Sequence, residues 1–316
     1  MCPVPKSNWA PSCSLDIIKR RSAFYQTVRR FFEERGVLEV ETPLMGFTNS
    51  PDRNIEPFLV PFQTPFCLQT SPEFYMKRLL AKTHTSIFQI CKAFRQGEYG
   101  RKHNPEFTML EWYRVDWDHE ALIEEVEALL QILLQTGKAV HMEYRTMFQE
   151  YLGIDPWETD AKTLKALALK QDGVILELDL DGWLDYFLSH HIEPKLEKDK
   201  LIVMKHFPPS QAALSKINRS SYPYAERFEF FYQGMELANG YHELIDQKEQ
   251  AARFEAELAW RAKENRPMLP VDEKLLSALP SLPACSGVAM GLDRVFMIKE
   301  GLSSLQEVLA FPYETL

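Results

Sequence analysis

Residues 94–113, FRQGEYGRKHNPEFTMLEWY, place Arg95, Glu98, Arg101, Lys102 and His103 within one short segment. Cations at that density, on a turn between two strands, can present donors to a phosphate. A solvated hairpin loop accounts for the same residues. His103-Asn104-Pro105 forces an extended chain before the return, because a residue that precedes proline is pushed out of the α region. On the strand that follows, period-two alternation puts Phe107, Met109, Glu111, Tyr113 and Val115 on one face. Glu111 and Tyr113 then form a polar pair on an aromatic-lined floor.

A second constellation is Glu236 and Glu243 in MELANGYHEL, on opposite faces of an unbroken strand. A bulge at Asn239-Gly240 would re-aim the second carboxylate. Two carboxylates on a sheet floor can hold Mg²⁺ on a nucleotide or grip an ammonium ion; two exposed glutamates on an edge strand are the plainer alternative. In GLDR (291–294), Gly291 admits close backbone approach to a ligand. Arg294 falls on a first helical turn, beside N–H groups that favour an anion. Neither GxxxxGK[ST] nor GxGxxG occurs. A nucleotide here would be met by arginines on a sheet.

These residues need elements to position them. Ser14 predicts the start of a helix running to about Arg35, with Gly36 as its stop. A strand follows over 37–42, ended by Pro43. Residues 72–82 read as a short helix with Pro72 at its start, 87–94 and 106–115 as paired strands, and 119–136 as an amphipathic helix capped by Asp118 and ended by Gly137. The pattern weakens over 141–200 into a peripheral subdomain or insertion. Strand character returns over 225–244, then a charged helix over 247–264 and a strand and helix over 286–301. Clustered strands without βαβ alternation imply an α+β fold on an antiparallel sheet.

The chain has 316 residues, 45% of them hydrophobic, enough for one large core or two smaller ones. Its net charge of −9 weighs against extended contact with a nucleic-acid backbone. No apolar run reaches the roughly 18 residues of a membrane span. The first residues, MCPVPKSNWAPSC, lack a secretory pattern. Five scattered cysteines without a CxxC fit reduced thiols in a cytoplasmic protein.

In order along the chain, EVETPLM (39–45) with Pro43, the 94–113 segment, and GVAMGLDRVFM (287–297) resemble motifs 1, 2 and 3 of class II aminoacyl-tRNA synthetases. HNPEFTMLEWY and ELANGYHEL narrow the resemblance to the lysyl-tRNA synthetase branch, over about 14–312. It implies a tail over 1–13 and a catalytic core over 14–316, an antiparallel sheet flanked by helices, dimeric through the motif 1 helix. Some 38 residues precede motif 1, so no anticodon-binding domain is expected. Ser71 in SPEFYMKRL stands where lysyl-tRNA synthetases usually show Ala, and Ala289 where they usually show Gly. Both changes resemble the truncated paralogues that attach (R)-β-lysine to elongation factor P.

The resemblance implies ATP and Mg²⁺ as cofactors, (R)-β-lysine or lysine as substrate, and elongation factor P as acceptor, with tRNA disfavoured. It makes Arg95 and Arg294 catalytic, Arg95 bridging carboxylate and α-phosphate and Arg294 holding the γ-phosphate. Phe107 would stack on adenine, with Gln96, Gly97, Glu98, His103 and Asn104 beside the nucleotide. Glu236, Leu237 and Gly291 would complete the ATP site. Ser71, Pro72, Glu73, Glu111, Tyr113, Glu243 and Ala289 would meet the amino acid. Glu236 and Glu243 would hold Mg²⁺, although Glu243 serves equally as an acceptor for a substrate amine. One departure stands in motif 2: the usual Arg-x-Glu has Gly97 in its third place, with Glu98 following. The alternatives are a barrel-less enzyme that acylates tRNA or a tRNA-like RNA, and a lysine-binding regulatory paralogue.

Overall fold

The computed structural model describes residues 9–62 and 66–316; Cys2 and most of the 1–13 segment lie outside them. Ser14 opens α1 (Leu15–Glu33), its side chain accepting from the Ile17 N–H at 3.2 Å. Gly36, at φ +65°, takes the left-handed conformation just past its end. The helix buries Phe24, Val28, Phe31 and Phe32. Phe32 stacks on Phe88 and meets Trp112 edge-on, while Leu15 and Ile18 stay exposed. The strand expected over 37–42 is shorter: β1 (Leu38–Glu39) lies at an edge, parallel to residues 87–88. Strands β2 (Met45–Gly46), β3 (Leu59–Val60) and β4 (Phe66–Leu68) form a small antiparallel sheet.

Then come α2 (Glu73–Thr83), β5 (Ile87–Phe94) and β6 (Glu106–Val115), as the alternation and the Pro72 start predict. Asp118 caps α3 (His119–Leu134), accepting from the Ala121 N–H at 2.9 Å. Its stop is Gln135 in the left-handed region, not Gly137; Leu133 is the last buried residue, so nothing holds a further turn. β7 (Val140–Glu143), α4 (Tyr144–Leu152), α5 (Ala161–Asp172) and α6 (Leu180–Phe187) follow. Their buried side chains, Tyr144, Phe148, Trp183 and Phe187 among them, pack as a second cluster with Met204 of β8 (Ile202–Phe207). β7 pairs with β8 in parallel, so the 141–200 region begins as an edge of the main sheet.

β9 (Ile217–Asn218) precedes a hairpin of β10 (Tyr224–Tyr232) and β11 (Met235–His242). Its two turn residues, Gln233 and Gly234, both have positive φ, the twist a two-residue hairpin requires. α7 (Gln247–Lys263), α8 (Glu273–Ala278), β12 (Cys285–Gly291) and α9 (Leu292–Lys299) complete the order. The main sheet runs β1-β5-β6-β12-β11-β10-β8-β7, with β9 on β10. It is antiparallel except at its two ends, where β1·β5 and β7·β8 are parallel. One face packs on α1, α3 and α9 through Phe32, Val126, Val288, Met290 and Val295. The other floors a cavity of about 710 Å³. Among the described residues no helix is long and apolar enough to cross a membrane, and Cys13, Cys67, Cys91 and Cys285 are free thiols.

Candidate active site

The floor follows from strand register. On β6 the cavity face carries Phe107, Met109, Glu111 and Tyr113, as period-two alternation requires. The opposite face buries Trp112, whose Nε1 donates to Glu125 at 3.1 Å. β12 lies alongside with Gly287 opposite Tyr113, Ala289 opposite Glu111 and Gly291 opposite Met109. β11 follows, setting Asn239 against Ala289 and Tyr241 against Gly287. A β-carbon at Gly287 would collide with the Tyr113 ring and lie 2.6 Å from Glu243 Oε1. Glycine there lets those two side chains meet over the floor.

At one end the cavity is acidic. Glu73, in the first turn of α2, touches Lys77 at 2.7 Å, and Lys77 touches Glu243 at 2.5 Å. Glu111 accepts from the Tyr113 hydroxyl at 2.6 Å, but its other oxygen is buried and, among the described residues, unpartnered. Glu73 and Glu243 thus share one ammonium, and the nearby Glu111 pairs with a hydroxyl instead. Desolvation, then the neighbouring Glu73, push Glu111 up to about 8, against the hydrogen bond from Tyr113. Burial raises Glu243 as well, against the pull of Lys77. Lys77 is held charged: the two carboxylates outweigh its desolvation.

The other end is cationic. Arg95 lies with its guanidinium carbon 5.2 Å from the Phe107 ring centre, its Nη1 3.5 Å from Glu98. Arg294, on the first turn of α9, donates to Glu236 O at 2.9 Å, Lys102 O at 3.1 Å and His103 Nε2 at 2.5 Å. Burial, then the Arg294 charge, lowers the His103 pKa and leaves it a neutral acceptor. Glu98, His103, Asn104, Phe107, Leu237 and Gly291 also line this end. The Asn104 amide is spent on backbone, donating to Glu106 O at 2.6 Å and accepting from Tyr313 N–H at 2.9 Å.

Three expected site residues do not line the cavity. Pro72 is buried at the start of α2, and Gln96 and Gly97 are exposed on the turn after β5. Gly97 has φ +87°, a conformation a glutamate would hold only under strain. The turn therefore moves the carboxylate to Glu98, which faces Arg95.

The bulge exists but not at Asn239-Gly240. The β10–β11 register slips between Phe230 and Phe231, which oppose Ala238 and Glu236, so Leu237 is the extra residue. That slip turns Glu236 to the face of Asn239, Tyr241 and Glu243, all of which line the cavity. Glu236 and Glu243 nevertheless sit at opposite ends of β11, on the order of 20 Å apart at roughly 3.3 Å per residue. They cannot share one ion, and Glu243 already engages Lys77. The acidic neighbour of Glu236 is Glu229 on β10. Burial raises Glu229 to about 8, Glu236 and Glu193 adding to the effect and Arg227 opposing it. Asn239 donates to Glu229 at 3.1 Å. Arg227 and Asn239 both engage Glu229 Oε1, which leaves Glu229 Oε2 and the Glu236 carboxylate to suit a hard divalent cation such as Mg²⁺.

Lys77, Glu229 and Gly287 are site residues that sequence reasoning passed over. Each carried a signal. Lys77 follows Glu73 by one helical turn, Glu229 and Arg227 alternate with phenylalanines on β10, and Gly287 is the first glycine of GVAMG.

Comparison with known proteins gives a family and near relatives. Residues 11–315 match the model of class II tRNA synthetases of the D, K and N type. Proteins of Salmonella dublin, Salmonella paratyphi B and Salmonella enteritidis PT4, each named elongation factor P–(R)-beta-lysine ligase, are 44% identical over 316 residues. The alignments cover 96% of this chain and 97% of theirs.

Proposed function

Because this chain belongs to the class II tRNA synthetase family of the D, K and N type, we propose that it is an ATP-dependent ligase. It activates (R)-β-lysine, or lysine, as an acyl-adenylate and transfers the acyl group to a lysine ε-amine of elongation factor P. The names of its 44%-identical relatives support the acceptor and the reaction. The observation that carries the substrate class is the acidic end of the cavity. Glu73 and Glu243 share a single ammonium, and among the described residues one buried oxygen of the nearby Glu111 is left without a partner. A ligand bearing two ammonium groups balances that charge and fills that acceptor.

The substrate carboxylate, already ionised, attacks the α-phosphorus of ATP and releases pyrophosphate. No side chain is required as a general base for that step. Arg95, between Phe107 and the Ser71 end of the cavity, supplies donors to the charge that develops; losing one such group costs on the order of 10²–10³ in rate. Arg294, held by three acceptors from two segments, holds the γ-phosphate at the nucleotide end. The acceptor amine then attacks the acyl carbon, forming an amide and releasing AMP. Mg²⁺, held by Glu229 and Glu236, would neutralise phosphate charge.

We place a homodimer seam along α1 and β1, where Leu15, Ile18 and Leu38 are exposed; a second copy would cover them. The deciding experiment for the reaction is mass spectrometry of elongation factor P after incubation with the enzyme, ATP and either lysine isomer. A lysyl mass increment on the factor is the expected result. Charging of lysine tRNA with no modified factor would overturn the assignment.

A further inference from the structure

A second group of ionisable side chains lies on the face of the sheet opposite the cavity. His119 opens α3, His242 ends β11, and Glu226 sits on β10 one step beyond the Arg227–Tyr241 pair, directly across from His242. Alternation along β11 sends Tyr241 and Glu243 into the cavity and His242 to the back. Glu226 Oε2 lies 2.5 Å from His242 Nδ1 and 3.9 Å from His119 Nδ1. His119 is 6% exposed, and among the described residues neither of its ring nitrogens has a hydrogen-bond partner. A buried imidazole ordinarily satisfies both.

We propose that His119, His242 and Glu226 form a binding site for one divalent transition-metal ion, zinc being the best match to two imidazoles and a carboxylate. Their ligand atoms already lie within 4.8 Å of one another. Bonds of about 2.0–2.2 Å in a tetrahedron set ligand atoms roughly 3.3 Å apart. The Glu226–His242 contact therefore opens, and the Glu226–His119 gap closes, each by less than an ångström. Asn218 donates to the other Glu226 oxygen at 3.2 Å, orienting the carboxylate and leaving Oε2 for the ion. A hollow of about 520 Å³ lined by Lys216, Asn218 and Glu226 opens the carboxylate of the set towards solvent. Lys216, 4.0 Å from Glu226, is half exposed and can swing away.

The other side of the His119 ring faces Glu120 and His206. There Lys205 touches Glu120 at 2.6 Å, a fixed cation that repels a second one. The Glu226 set is the site. An ion there ties the start of α3 to the end of β11, next to Glu243.

The test uses untagged full-length protein, stripped with chelator and dialysed against Zn²⁺ or Co²⁺. One equivalent of zinc by elemental analysis, a tetrahedral Co²⁺ spectrum and a raised thermal midpoint with zinc are expected. His242→Gln and Glu226→Gln should each abolish all three, while His206→Gln keeps them. His119→Gln should behave as they do, and if it fails to fold the other two variants decide. No stoichiometric metal in the native protein overturns the proposal. So does metal retained by both His242→Gln and Glu226→Gln, or metal lost in His206→Gln.

Discussion

Lys77 and Glu243 meet at 2.5 Å with both side chains 1% exposed. A buried ion pair of this kind is held by its completeness, since removing one partner strands the other charge out of water. Lys77→Met leaves Glu243 and Glu73 unpaired and should cost about 3–5 kcal/mol in stability. Lysine should restore part of that loss, because its ammonium groups replace the missing one. Denaturant unfolding with and without lysine checks both; a variant as stable as the native enzyme would refute the role given to Lys77.

The acidic end should couple amino-acid binding to pH. Burial holds Glu111 up to about 8 in the folded, ligand-free enzyme, above its ordinary 4.5. The folded state keeps a proton that the unfolded chain releases. The contribution of Glu111 to stability is therefore full below about 4.5 and is lost as pH rises through about 8. Binding runs the other way: an ammonium needs the ionised carboxylate, so lysine affinity should rise between about pH 6 and 8 with release of protons. Calorimetry in buffers of different ionisation enthalpy measures that release. Glu111→Gln should reduce it, and an unchanged proton count would contradict the assignment.

Gly287→Ala should act on the amino acid and not on the nucleotide. The added methyl displaces the Tyr113 ring and Glu243, at about 1–3 kcal/mol if the fold absorbs it. The KM for the amino acid in ATP–pyrophosphate exchange should rise tenfold or more, the scale of about 1.4 kcal/mol, with the KM for ATP unchanged. Equal shifts in both would place the effect elsewhere.

Ser71 and Ala289 converge on one carboxylate. Ser71 lines the cavity with Glu111 and influences its titration, and Ala289 is its register partner on β12. The double change Ser71→Ala, Ala289→Gly should therefore move the isomer ratio towards α-lysine by about 10–100-fold, the scale of a few kcal/mol. Exchange rates with each isomer supply the ratio, and the idea fails if it stays constant.

Glu229→Gln should raise the Mg²⁺ concentration that gives half-maximal exchange by roughly tenfold or more, by analogy with losing a metal-site partner. Glu243→Gln should leave that Mg²⁺ midpoint where it is while weakening the amino acid. A shift in the midpoint for Glu243→Gln alone would reinstate Glu243 as a metal ligand.

Much of the frame was readable along the chain. Alternation from Phe107 to Val115 determined which β6 side chains share a face, because the period of a strand is local. Ser14 and Asp118 marked helix starts, since a cap needs only the next turn. Gly137 misled for the opposite reason: α3 ends where its buried face ends, at Leu133, and that depends on what packs against it.

The site divides the same way. By itself the sequence determined which residue types exist to do chemistry, and in what order along the chain: Arg95, Glu111, Glu236, Glu243 and Arg294 all line one cavity. Only the tertiary structure decided their company. Lys77 neutralises Glu243 and Gly287 makes room for Tyr113 through packing that links residues far apart in sequence, and Glu229 joins Glu236 through the register of a hairpin. Charge balance in a desolvated pocket is a sum over spatial neighbours, and a chain read in one dimension does not contain that sum.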